Sequence, residues 1–155
     1  MGGHTGLMEA FGQEGNFWPS IEELADGDVE AFAQLPMDEK LRRLARNFLH
    51  GIQKRPLTQE IMAWEMVERN ELTIALEVIR ENRMLRFYEM FFSPPAARVD
   101  LAAISAIMGA AISYLVTRSR GIKWYGGVDL QSKDGWDRLL AAVDAIIDGV
   151  LRNEK

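Results

Sequence analysis

The chain contains no cysteine and two histidines, His4 and His50. Without thiols it has no disulfide scaffold, thiolate zinc site, iron–sulfur cluster or cysteine nucleophile, and such usage suits the reducing cytoplasm where the chain is expected to reside. The two imidazoles stand far apart in the sequence, and neither lies at metal-motif spacing from a carboxylate, so no metal site is expected. Strict apolar/polar alternation never persists, which leaves no strand signal of useful length. A basic excess is lacking too: 18 Lys and Arg stand against 23 Asp and Glu, for a formal net charge of −5. That balance argues against a duplex-binding surface over the whole molecule. The chain carries no G-x-S-x-G, Walker or G-x-G-x-x-G sequence, and with them go the commoner hydrolase, nucleotide and dinucleotide fingerprints. Neither an enzymatic activity nor a cofactor is expected.

What is present is apolar: 48% of 155 residues, enough for a core without staples and of a length that fits a single domain over residues 1–155. The opening residues lack the basic region and long apolar run of a signal peptide. Residues 101–117 carry no charge and reach the lower length limit of a spanning helix. Their Ala, Gly and Ser content, and the close flanks Asp100 and Arg118, argue against a membrane span.

Spacings of three and four recur throughout, so the fold class is all-α. A first helix is expected over residues 5–13, and Phe17-Trp18-Pro19 reads as a loop. Ser20 and Glu23 have capping-box spacing ahead of a short helix, which Asp26-Gly27 ends. Asp28 caps a turn through Val29, Phe32 and Leu35. Residues 37–54 place Leu41, Leu44, Ala45, Phe48, Leu49 and Ile52 on one stripe, opposite Lys40, Arg42, Arg43 and Arg46. Thr58 is the expected cap of the next helix, which carries Ile61, Met62, Trp64 and Met66. The longest helix runs over residues 72–92, closed by Ser93-Pro94-Pro95. Asp100 caps the uncharged helix, and a last helix over residues 135–152 keeps Asp137, Arg138, Asp144 and Asp148 outward. Residues 123–128 read as a turn-bearing loop.

Three constellations have a structural and a functional reading. The basic stripe, extended by Lys54 and Arg55, could touch phosphate, but no stacking platform accompanies it and a solvated helix face is expected. Glu60, Glu65 and Glu68 share one helix and also read as a solvated face rather than acid/base machinery. Met62, Met66, Met84, Met90, Trp64, Phe87, Tyr88 and Phe91 concentrate in two consecutive helices. Taken alone they read as core filling, although flexible thioethers beside rings also line cavities for apolar ligands. In the last two long helices, large apolar residues form a seam, while Ala102, Ala106, Gly109 and Ser113 form a small-residue stripe that permits close helix approach. This surplus predicts a symmetric dimer through an intermolecular four-helix bundle.

Two stretches carry a family resemblance. The segment from Gly2 to Phe11, followed by Phe17-Trp18-Pro19-Ser20, resembles the start of the effector domain in TetR-family transcriptional regulators. Trp124-Tyr125-Gly126-Gly127-Val128-Asp129-Leu130, followed by Gly135-Trp136-Asp137-Arg138-Leu139-Leu140, is similar to the loop and last helix of many members. The resemblance implies a helical bundle of the C-terminal ligand-binding type, without the helix-turn-helix head and so without direct DNA binding by this chain. It implies a small-molecule effector among Phe48, Met62, Met66, Met84, Phe87, Tyr88 and Phe91. It also implies a homodimer whose seam comprises Ile104, Met108, Ile112, Leu115, Leu139, Leu140, Val143 and Ile147. The alternative is a headless helical interaction protein that forms mixed dimers and takes no ligand.

Overall fold

The computed structural model describes residues 17–92 and 98–152. The helix expected over residues 5–13 and the Ser93-Pro94-Pro95 stop lie outside them, as does the segment from Gly2 to Phe11 of the resemblance. Among the described residues the chain forms seven helices: α1 (Ile21–Leu24), α2 (Val29–Ala33), α3 (Met37–Gln53), α4 (Pro56–Glu65), α5 (Glu71–Phe91), α6 (Leu101–Arg118) and α7 (Lys133–Leu151). Between α6 and α7, β1 (Trp124–Tyr125) pairs antiparallel with β2 (Val128–Asp129). Gly126 and Gly127 both take positive φ, as a two-residue hairpin turn requires.

Side-chain caps set most helix starts. Ser20 Oγ accepts from the Glu23 N–H at 3.1 Å, Asp28 Oδ1 from Ala31 at 3.1 Å, Asp100 Oδ1 from Ala103 at 3.0 Å, and Ser132 Oγ from Gly135 at 3.1 Å. The box at Ser20 is only half formed. The Glu23 carboxylate turns instead to Lys54 Nζ at 2.5 Å and an Arg55 nitrogen at 2.9 Å, clamping α1 onto the end of α3. Asn70 begins α5 with a full reciprocal box through Thr73. Thr58 is not the cap of α4. Pro56 occupies the first turn, where its missing N–H costs nothing, so the chain is already helical when it reaches Thr58. The buried Thr58 hydroxyl donates instead to the Phe17 carbonyl at 2.9 Å.

α3 is the axis of the domain, packing against α1, α4, α6 and α7. Its apolar face buries Leu41, Leu44, Ala45, Phe48, Leu49 and Ile52, each worth about 1.5–3 kcal/mol when a large side chain is fully buried. The opposite face is not simply solvated. Arg42 reaches Asp38 at 2.9 Å and Glu39 at 3.0 Å, and it also binds Asp148; Arg46 binds Asp144 at 2.7 Å. Asp144 and Asp148 therefore face α3 rather than outward, because the basic stripe supplies their counter-charge. Arg43 joins Asp26 at 3.0 Å, and Lys40 Nζ donates to the Phe91 carbonyl at 3.1 Å.

A Cβ on Gly135 would fall inside the carbonyl of Asp129. Gly→Ala in an exposed helix normally stabilises by about 0.5–1 kcal/mol; Gly135→Ala should instead cost roughly 2 kcal/mol or more by overpacking. Urea unfolding reads the sign, and a gain in stability would contradict the close approach of α7 to β2.

Burial opposes the charge of Glu23, but its hydrogen bonds to Lys54 and Arg55 and their positive charges prevail, holding its pKa below the ordinary 4.5. A depressed carboxylate pKa contributes stability above the unfolded value that is lost as pH falls through the folded one. The stability gap between wild type and Glu23→Gln should therefore be constant above pH 5 and shrink below 4.5. A gap that widened on acidification would overturn the clamp.

Candidate functional site

A cavity of about 700 Å³ lies among α3, α4, α5 and α6, well inside the range of roughly 300–1,000 Å³ used for small-molecule ligands. α3 contributes Leu44, Ala45 and Phe48; α4 and the turn after it contribute Met62, Glu65 and Met66. From α5 come Arg80, Glu81, Met84, Leu85 and Tyr88, and Trp18 enters from the loop before α1. The volume itself comes from α6, where Ala102, Ser105, Ala106, Gly109 and Ser113 leave space that larger side chains would fill. The small-residue stripe thus opens a cavity instead of admitting a close helix neighbour.

Five of the expected ligand residues, Phe48, Met62, Met66, Met84 and Tyr88, line this cavity together. Phe87 and Phe91 do not. They build a buried aromatic nest with Phe32 and Phe92, the Phe32–Phe91 and Phe87–Phe91 centroids being 4.8 and 4.6 Å apart. The reason is helical phase: Met84 and Tyr88 share one row of α5, while Phe87 and Phe91 share the next row and face α2. Trp18, Glu65, Arg80 and Ser105 were not anticipated at the site. The Glu65–Arg80 spacing crosses two helices, and Trp18 is a loop residue, so helical periodicity carries no signal for any of the three.

The polar groups are few. Arg80 and Glu65 form a two-pronged ion pair at 2.5 and 2.8 Å, and the Arg80 guanidinium lies 5.9 Å from the Trp18 ring centroid. Burial raises the Tyr88 phenol above its ordinary value, the nearby Ser105 hydroxyl works the other way, and the Glu81 charge adds to the rise. Tyr88 is therefore a neutral hydroxyl at physiological pH. Among the described residues, Ser105 Oγ and Trp18 Nε1 are fully buried and meet no partner in hydrogen-bonding geometry. No group of three or more His, Asp or Glu able to hold a metal occurs among the described residues.

The expected dimer seam divides. Met108, Ile112 and Ile147 are buried within this chain, the first two in the cavity wall, so they are not surface residues. Ile104, Leu140 and Val143 pack against the same core, and Leu115 and Leu139 are half-buried. The strongest apolar stripe of each helix is taken by its own core because α6 and α7 both pack on α3. What stays outside is a second stripe: Ile107 (70% exposed) and Tyr114 with Ala103 and Ala111 on α6, and Ile146 (55%) with Ala142 and Ala145 on α7. By length and composition α6 could cross a membrane; here its inner face packs on α3 and α4.

Comparison with known proteins finds no matching family model, no matching curated protein and no matching solved structure. The geometry of the cavity and of the exposed stripes therefore carries the functional argument.

No atom lies within 4 Å of a Cβ built on Gly109. Gly109→Leu should therefore gain about 0.5–1 kcal/mol from helix propensity, fill part of the cavity, and weaken binding of the solvatochromic dye Nile red at least roughly tenfold, the equivalent of 1.4 kcal/mol. Dye fluorescence titration beside thermal unfolding tests both. A destabilised variant with unchanged dye affinity would mean that the space is not a usable pocket.

Proposed function

We propose that this chain is the effector-sensing and dimerisation domain of a TetR-like transcriptional regulator. The observation that carries the reading is that one helix, α6, serves as a wall of the cavity with one face and leaves an apolar stripe exposed on another. A small apolar or amphipathic effector in the cavity would bear directly on the helix that also meets the second subunit. In such a regulator the ligand acts by preferring one of two arrangements of the dimer, the coupling being the difference in its affinity for the two. DNA binding would belong to a helix-turn-helix head; sensing and pairing are the tasks of this domain.

The last part of the chain supports the family reading locally. The Gly126-Gly127 turn, the bond from Trp136 Nε1–H to the Leu130 carbonyl at 2.8 Å, and the fit of Gly135 against Asp129 give six residues of the resembling pattern a structural task. The second subunit is a copy of this chain, paired through Ile107, Tyr114 and Ile146, whose alanine neighbours allow backbones to approach closely. The competing reading, a partner protein that forms mixed dimers and takes no ligand, uses the same stripe and needs no cavity.

Sedimentation equilibrium should show a dimer for the wild type, and a monomer with unchanged helicity for Ile107→Glu combined with Ile146→Glu. A wild type that remains monomeric at high concentration defeats the homodimer. A dimer whose melting temperature no apolar compound raises favours the mixed-dimer protein.

A further inference from the structure

The charges along the cavity do not cancel. Among the described residues that line it, Glu65, Arg80 and Glu81 are charged. Glu65 takes both terminal nitrogens of Arg80, at 2.5 and 2.8 Å, so that pair is neutral as a unit. Glu81 is left over. Its neighbours one turn away on α5 are Glu77, Val78, Met84 and Leu85, none of them a cation, and it forms no ion pair among the described residues. Its charge nevertheless reaches the place where a ligand would lie, for it acts on the Tyr88 hydroxyl two turns further along the same face of α5.

This carboxylate is open to an incoming molecule. Glu81 and Leu85 of α5, with Ala102 and Ala106 of α6, line the cavity and are also exposed, so they form its mouth. Phe48, Met62, Met108 and Ile112 line it and are buried, so they form its floor. A charged head at such a mouth keeps part of its hydration while an apolar tail takes the floor, and the large cost of stripping an ion of water is avoided. The same wall already holds one cation in this manner. The Arg80 guanidinium meets both the Glu65 carboxylate and the Trp18 ring, 5.9 Å from the ring centroid. Glu81 and Tyr88 repeat the pairing of carboxylate and ring, and the Tyr88 ring is held in place by stacking on Phe92 at 5.5 Å.

We infer that the cavity takes a cationic amphiphile: a protonated amine or quaternary ammonium seated at the mouth beside Glu81 and the Tyr88 ring, with its apolar tail among Phe48, Met62, Met108 and Ile112. This rests on the effector-pocket reading and narrows it to one chemical class. An anionic head of the same length would meet Glu81 and find Arg80 already taken by Glu65. An uncharged head would draw nothing from the carboxylate, so the preference lies in the head while the tail supplies the affinity.

The test uses three probes with the same eight-carbon chain, octylammonium, 1-octanol and octanoate, each competing with Nile red at neutral pH and low salt on the wild-type chain, on Glu81→Gln and on Glu89→Gln. Glu89 is an exposed carboxylate of the same helix that does not line the cavity, so its loss alters net charge alone. The ammonium should bind the wild type about fivefold more tightly than the alcohol, the equivalent of about 1 kcal/mol, as one half-solvated carboxylate and one ring would supply. Octanoate should bind more weakly than the alcohol. Glu81→Gln should remove the advantage of the ammonium and leave the alcohol unchanged, Glu89→Gln should preserve it, and high salt should shrink it by screening. An ammonium that binds no better than the alcohol, or no better than octanoate, overturns the inference and leaves the pocket standing. So does an advantage that survives Glu81→Gln, or one that falls equally in Glu89→Gln and so reflects the field of the whole chain. If neither Nile red nor any probe binds, the pocket reading fails with it.

Discussion

α3 has to satisfy two unlike surfaces at once, and the placement of α4, α6 and α7 around it follows. Its apolar face needs greasy partners, which α4, α6 and α7 supply; its basic face needs carboxylates, which α7 brings as Asp144 and Asp148. Surface ion pairs of this kind contribute only a few tenths of a kcal/mol to about 1 kcal/mol each. They cannot hold the fold, but they can choose its register. Turning α7 on α3 would expose the buried Ile147, and sliding it would take Asp148 from Arg42 and Asp144 from Arg46, leaving Arg42 only Asp38 and Glu39 of its own helix. Burial therefore fixes that α7 packs on α3, and charge fixes how.

With α7 and α6 both committed to α3, α6 is left with more apolar circumference than its own chain can cover. Three rows result. Leu101, Ser105, Met108, Ile112 and Val116 go to the core; the Ala102, Ala106, Gly109 and Ser113 row faces the cavity; the Ala103, Ile107, Ala111 and Tyr114 row faces outward. Small residues in the second row remove volume, and small residues in the third leave the backbone approachable. The same composition thus serves two different ends on one helix, according to what lies opposite.

That duality marks where the sequence could be read and where it could not. Helix starts were legible because a cap is a local event: Ser20, Asp28 and Asp100 each meet an N–H three residues ahead. The concentration of Met62, Met66, Met84 and Tyr88 was legible because thioethers and rings recur at helical spacing, but alone it reads as core filling; only the family resemblance grouped them with Phe48 around an open space. Phe87 and Phe91 were misplaced by a single step of phase, since composition does not say which row meets α2. The seam was inverted for a related reason. Periodicity identifies the strongest stripe, but the strongest stripe goes first to the protomer's own core, and an interface is made from what remains. Phe17 and Thr58 were invisible as a pair because their relation, a loop carbonyl held by a helix hydroxyl, has no periodicity at all.

The loop that carries Trp18 is also what separates a pocket from a packing defect. A void in a core lined only by apolar side chains loses dispersion contacts on every side, and a fold under no other demand closes it by rotamer change. Here closure is obstructed on two sides. The α6 row of Ala102, Ala106, Gly109 and Ser113 has no long side chain to extend into the space, and the opposite wall cannot advance, because Phe17, Trp18, Pro19 and Ser20 are pinned respectively by Thr58, Arg83, Gly51 and the start of α1. A wall held still against its own packing interest is better accounted for by an absent partner than by incomplete collapse. A ligand would fill the void, and the helix it pressed against would be the one whose outer row is still uncovered.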